Sequence, residues 1–178
     1  AYAPYFGNCD AITIMAGGAY DCRLLSAAPD RYLFGDPKVY DYSTETQENW
    51  ANRIHDTLSY RLHALITYIS EKYPTLQLSI TTPIPSKTTI SANGGFVESN
   101  IIPTEIWEKY VDTIIEVCHI RGIPCLDLYH NSTLSPELEE VFGKRLYSNK
   151  IDEYKYLTTD GHRKIAPRFK AMLDTLII

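Results

Sequence analysis

The side chains to weigh first for chemistry are the five histidines, the four cysteines and the tyrosines and amides that stand at the ends of apolar runs. The cysteines, Cys9, Cys22, Cys118 and Cys125, contain no C-x-x-C pair and no finger spacing, so they point to neither a zinc site nor a dithiol redox motif. Cys118 falls in a helical stretch and Cys125 in an apolar strand, where cysteine serves as a small buried hydrophobe. Free thiols are therefore expected, with Cys9–Cys22 the pair to bond if any disulfide forms. His130 and Asn131 follow an apolar run directly, a position from which side chains touch ligands, although a solvated loop is the ordinary reading. His55, His63 and His119 read as helix-surface or stripe-edge residues. Fourteen tyrosines are many for this length, and Tyr129, Tyr147, Tyr154 and Tyr156 flank the same region. Exposed aromatic rings stack on sugars, but tyrosine also packs well in ordinary cores.

The bounds on function are simple. At 178 residues the chain fits one domain, taken here as 1–178, and it can bury its own core without staples. A net charge of -5 argues against nucleic acid, which calls for a basic stripe. No run of about 18 apolar residues occurs, so no membrane span is expected. Ala1 to Ile14 lack the basic start and apolar core of a signal peptide.

Periodicity then gives the elements that must position these residues. Ala11 to Ala16 is a short β-branched run ended by Gly17-Gly18 and reads as a buried strand. Thr44-x-x-Gln47 has the form of a capping box. From it Trp50, Ile54, Leu58, Leu62, Leu65, Ile66 and Ile69 recur at helical steps up to Pro74. Leu76 to Thr81 predicts a second strand, closed by Thr82-Pro83-Ile84-Pro85. The polar stretch from Ser86 to Asn100 is a long loop. Pro103 suits the first turn of a helix with the stripe Ile106, Tyr110, Ile114, Val117 and Cys118, stopped by Gly122. Pro124 to Leu128 predicts a third strand. A last helix carries Ile165, Phe169, Met172, Leu173 and Leu176 on one face.

Strands alternating with helices imply βαβ crossovers: an α/β fold in three layers, α/β/α, around a parallel sheet. Ligands in such sheets bind beyond the carboxyl ends of the strands. That rule gathers Gly17 to Asp21, Thr82 to Ser86, Tyr129 to Ser132 and the loop around Asp160 onto one edge.

Ile12 to Asp21, with Gly17-Gly18-Ala19-Tyr20-Asp21 at its end, resembles the Gly-x-Asn-Asp block of the SGNH (GDSL-type) hydrolases. The resemblance continues in family order through Ile80 to Pro85, Val111 to Cys118, Ile123 to Tyr129 and Thr159 to Ala166. It implies the flavodoxin-like SGNH fold and an esterase that cleaves acyl esters of carbohydrate or lipid without a cofactor or metal. Its chemistry is a serine activated by histidine, which an aspartate orients, with a glycine N–H among the oxyanion donors. Carried over residue by residue, it assigns Asp160, His162 and Gly18 to catalysis. Tyr20, Tyr129, His130 and Asn131 fall around the cleft as ligand-binding residues.

The pattern is incomplete. No Gly-Asp-Ser occurs anywhere; Gly35-Asp36-Pro37 supplies no hydroxyl. Tyr20 stands where the oxyanion asparagine belongs. The family spaces its last block Asp-x-x-His, whereas Asp160 and His162 are two apart. Either that loop is shortened, or the histidine-bearing segment is lost and His162 is a helix-start residue. Asp160 serves equally as an N-cap and His162 as a packing residue. The missing serine strand would lie beside Ala11 to Ala16, so a truncated chain, a strand lent by another protein chain at the open edge, or a remodelled pseudoenzyme is expected. The alternative to an esterase is a non-catalytic binding or assembly module on the same fold. Bacterial surface and phage-tail proteins carry such domains, which implies a secreted, cell-surface or virion-associated setting.

Overall fold

The computed structural model describes residues 9–15, 34–39, 57–85, 104–134 and 157–176. Strand β1 (Ala11–Met15) leads to helix α1 (Leu58–Lys72), β2 (Gln77–Thr81), α2 (Thr104–Arg121), β3 (Cys125–Leu126), a one-turn helix α3 (Leu128–Asn131) and α4 (Thr159–Leu176). The strands form a parallel sheet in the order β1-β2-β3, with Ala11 opposite Gln77, Met15 opposite Thr81 and Ile80 opposite Cys125.

Alternation along the strands sorts side chains to two faces. Ile12, Ile14, Leu78, Ile80 and Cys125 face α1 and α2, and pack with Leu62, Ile66, Ile69, Trp107, Tyr110, Ile114, Val117 and Cys118. Arg121 Nη2 donates to Thr67 Oγ1 at 2.9 Å, joining the two helices at their far ends. The opposite face is more polar. Thr13 Oγ1 meets Ser79 Oγ at 2.8 Å across the strands, and Ser79 and Thr81 are fully buried. On this side α4 lies against β2 and β3, and Ile165 and Phe169 share an apolar cluster with Leu126 and Leu128. Helices therefore cover both faces, and the three-layer α/β/α architecture expected from the alternation is the one observed.

Local chemistry explains most boundaries. Thr57 caps α1: its backbone is extended (φ -79°, ψ 149°) and its Oγ1 accepts from Tyr60 N at 3.2 Å. An extended residue at position 57 corrects the expectation of one helix running on from Thr44. The apolar steps from Trp50 to Leu58 keep helical register across a break that periodicity cannot detect. The capping box itself lies outside the described residues. Phe34 O accepts from Ser59 N, and Pro37 O bonds His63 Nε2 at 2.8 Å, so the 34–39 segment is fastened to α1. Gly35 has φ +74°, and a Cβ there would stand 2.8 Å from Thr57 Cβ, so glycine is required on both counts.

α2 ends as expected at Gly122, whose φ of +64° lets Ile123 N donate to Cys118 O at 2.8 Å. The third strand is shorter than its apolar run. It stops at Leu126 because Asp127 caps α3, so Leu128 and Tyr129 belong to a helical turn and not to a strand or open loop. At the last helix the cap is Thr158, whose Oγ1 accepts from Gly161 N at 3.2 Å. Asp160 is inside the first turn and does not cap it. Leu173, expected on the buried stripe, is exposed, whereas Ile165, Met172 and Leu176 are buried.

Among the described cysteines, Cys118 and Cys125 are free thiols, and Cys22 lies outside the described residues. Cys118 is buried in the core beside Cys125. The hydrogen bond that the Cys118 thiol donates to Cys125, and then burial, push it well above its ordinary value and keep it protonated.

Candidate functional site at the carboxyl edge of the sheet

β2 and β3 end together, with Thr82 N donating to Leu126 O at 3.0 Å. Beyond this point the two chains are joined by one hydroxyl. Thr82 Oγ1 accepts from Leu128 N at 2.8 Å and from Tyr129 N at 3.0 Å, holding the start of α3 against the end of β2. Thr82 is fully buried, so these bonds are shielded from water. Its own proton faces Asp127 Oδ1 at 3.3 Å and Pro83 O at 3.4 Å.

Asp127 is the hub of the exposed side of this edge. Its Oδ1 accepts from His130 N at 3.0 Å, the usual capping bond. Oδ2 takes two side chains, His130 Nδ1 at 2.9 Å and Asn131 Nδ2 at 3.0 Å. A carboxylate only accepts, so His130 Nδ1 carries the hydrogen and Nε2 is left as the other ring nitrogen. The Asp127 side chain is 18 % exposed and that of His130 43 %, so the acid is sheltered and the imidazole reaches solvent. Tyr129 stands edge-on to the His130 ring, with centroids 5.0 Å apart and planes at 84°, and is itself backed by Trp107 at 6.3 Å. The ring is thus fixed by a carboxylate on one nitrogen and an aromatic wall on its side.

The other candidate pair is arranged differently. Asp160 Oδ1 accepts from Arg163 Nη1 at 3.0 Å, with both side chains largely in water. His162 Nδ1 bonds the Thr158 carbonyl at 2.9 Å. Each side chain is engaged locally, and not with the other. His162 also borders an apolar groove on α4 with Ile165, Ala166, Phe169 and Leu173. The start of α4 nonetheless belongs to the same end of the sheet, because Leu157 and Ile165 share a cluster with Ile84, Leu128 and Leu134. Of the residues singled out in the sequence, Tyr129, His130 and Asn131 are brought together. Asp160 and His162 occupy one helical turn nearby, and Gly18 and Tyr20 lie outside the described residues. Of the two residues that organise the group, Thr82 is expected on the ligand-binding edge and Asp127 only within a strand. The Asp127-x-x-His130 spacing was the available signal.

Among the described residues no group of three or more histidine, cysteine or acidic side chains is placed to hold a metal ion. Nor is any described helix long and apolar enough to cross a membrane.

No protein-family model matches the sequence. No curated protein matches it either. Solved structures do. One crystal structure superposes with a TM-score of 0.62 at 20% identity, covering 98% of this chain and 68% of that one. The crystal structure of a protein from Lactobacillus plantarum gives the same TM-score and identity over 99% of this chain and 72% of its own. A possible lipase from Chitinophaga pinensis DSM 2588 gives a TM-score of 0.47 at 16% identity over 71% of this chain and 44% of that chain, too slight a likeness to bear weight. At these identities the first two establish a shared α/β fold spanning nearly the whole chain.

Proposed function

We propose that this chain is an SGNH-type domain that binds acyl esters of carbohydrate or lipid at the carboxyl edge of its sheet and lacks the activated serine of the family's esterases. The observation that carries this reading is the separate engagement of the two residues in the histidine block: Asp160 with Arg163, and His162 with the Thr158 carbonyl. A serine esterase needs its histidine held by the acid and turned toward the nucleophile. The absence of Gly-Asp-Ser and the phenol of Tyr20 in place of an amide support the same conclusion. The cleft side keeps what recognition requires, with Tyr129, His130 and Asn131 presented on a rigid turn.

Two measurements test this. A fluorophosphonate probe should leave the purified chain unlabelled; stoichiometric labelling of a serine would defeat the claim. Titration with an O-acetylated oligosaccharide or a short-chain lipid ester should shift the amide resonances of Thr82, Tyr129, His130 and Asn131. If neither ligand moves them at millimolar concentration, the edge is not the binding site.

A second reading, an assembly module completed by another protein chain, is favoured by one feature of the sheet. Among the described residues β1 pairs only with β2, and Met15 at its end is 65% exposed. An open strand edge is a template for a further strand. Sedimentation of the isolated chain decides it: a monomer whose Ile12 to Met15 amides exchange rapidly would count against assembly.

A further inference from the structure

Four of the five histidines lie in the described residues, and three of them, His63, His130 and His162, differ in what holds the ring. His63 is buried and bonded to a backbone carbonyl, and His162 is bonded to another. His130 is held by a carboxylate at 2.9 Å, and among the described residues its Nε2 has no hydrogen-bond partner. The carboxylate is itself immobilised by the His130 amide, the Thr82 hydroxyl and the Asn131 amide, and so cannot swing away from the ring. Such an arrangement selects one tautomer, orients the imidazole and leaves Nε2 as the nitrogen that can take a proton, which is what a general base needs. It stands beyond the carboxyl ends of parallel strands, where open α/β sheets bind their ligands.

We propose that His130 is an acid–base catalytic residue for water-mediated hydrolysis of an acyl ester bound at this edge, with Asp127 as its positioning residue. The inference rests on the reading that the edge binds such esters, and it adds a hydrolytic route that needs no serine. Nε2 takes a proton from a water molecule as the water oxygen bonds to the ester carbonyl carbon. The tetrahedral adduct then collapses, the bond from carbon to the alcohol oxygen breaks, and the imidazolium returns its proton to the departing alkoxide. A carboxylic acid and an alcohol leave, and the neutral imidazole is restored with its hydrogen still on Nδ1.

The test is hydrolysis of p-nitrophenyl acetate by the full chain beside His130→Gln, Asp127→Asn and His119→Ala. The expected result is a saturable rate that falls by about a hundredfold in His130→Gln, within the range general-base catalysis supplies. Asp127→Asn should lose a comparable factor while melting near the parent temperature. An amide at 127 still caps α3, but it donates to Nδ1 and so moves the ring hydrogen to Nε2. Nitrogen-15 shifts of the imidazole should report this tautomer exchange directly, and His119→Ala, at an exposed position on the last turn of α2, should keep the parent rate. A rate no higher than buffer, or one unchanged in His130→Gln, overturns the proposal. So does an Nε2–H tautomer in the parent chain. If ester ligands still shift the edge resonances in that case, the binding reading survives and only the catalytic inference falls. Serine labelling that abolishes a His130-independent rate would remove both.

Discussion

Two histidine–aspartate neighbours in this chain have almost the same sequence separation and opposite outcomes. Asp127 and His130 are three apart and bonded; Asp160 and His162 are two apart and turned to different partners. Helical geometry accounts for the difference. Residues two apart on a helix project about 200° from each other, so their side chains cannot meet, whereas residues three apart share a face. Asp127 gains further because it is the capping residue, with an extended backbone (φ -75°, ψ 95°) that lays its carboxylate over the first turn. Asp160 lies inside its helix, where its charge favours the amino-terminal dipole and its side chain projects into water. One missing residue separates a held imidazole from a solvated one.

The comparison is broken most severely through Thr82. Thr82→Val keeps shape but removes the acceptor shared by two amides, Leu128 N and Tyr129 N, at a buried position. We expect a loss of about 2–3 kcal/mol in urea unfolding, the cost of stranding buried donors, and loss of order at His130. A loss below about 0.5 kcal/mol would mean that the amides find water and that Thr82 does not hold the edge. Asp127→Ala comes next, at about 1–2 kcal/mol from the lost cap, with the His130 ring released to average its rotamers. Side-chain relaxation at His130 reads the second effect, and an unchanged ring would show that Tyr129 alone fixes it.

His63 sharpens the contrast by pH. Burial lowers its pKa, the Pro37 carbonyl partly opposes this, and the Arg121 charge lowers it further. The unfolded chain therefore binds this proton more tightly than the folded one. The stability linked to His63 is complete above the unfolded value of about 6.5 and is lost as pH falls below it toward the folded pKa. Unfolding midpoints from pH 8 to pH 5 should decline for the parent chain and decline less for His63→Phe. Equal slopes would show that this imidazole is not the group that titrates. The smallest effect belongs to the second pair: Asp160→Ala should change stability by under about 0.5 kcal/mol, as an exposed ion pair does. A cost above about 1 kcal/mol would show that Asp160 is engaged in more than the Arg163 contact.

Much of the fold was legible because the signals were local. The β-branched run Ala11 to Ala16, the stripe Tyr110, Ile114, Val117 and Cys118, and the stop at Gly122 each need only neighbours within a turn or a strand. The break at Thr57 was not legible, because the apolar steps from Trp50 to Ile69 stay in phase across it and a hydrophobic period carries no information about one residue's dihedrals. Nor was the end of β3, where Pro124 to Leu128 remains apolar but the chain turns at Asp127. What only the tertiary structure decided is the site itself. Tyr129, His130 and Asn131 are neighbours in any conformation. They become a presented group because Thr82, 46 residues before Leu128, brings its hydroxyl to the two amides that open α3. Alternation of strands and helices predicts a parallel sheet, but the register that sets Thr81 opposite Leu126 and so places that hydroxyl there is a long-range contact that no local pattern encodes.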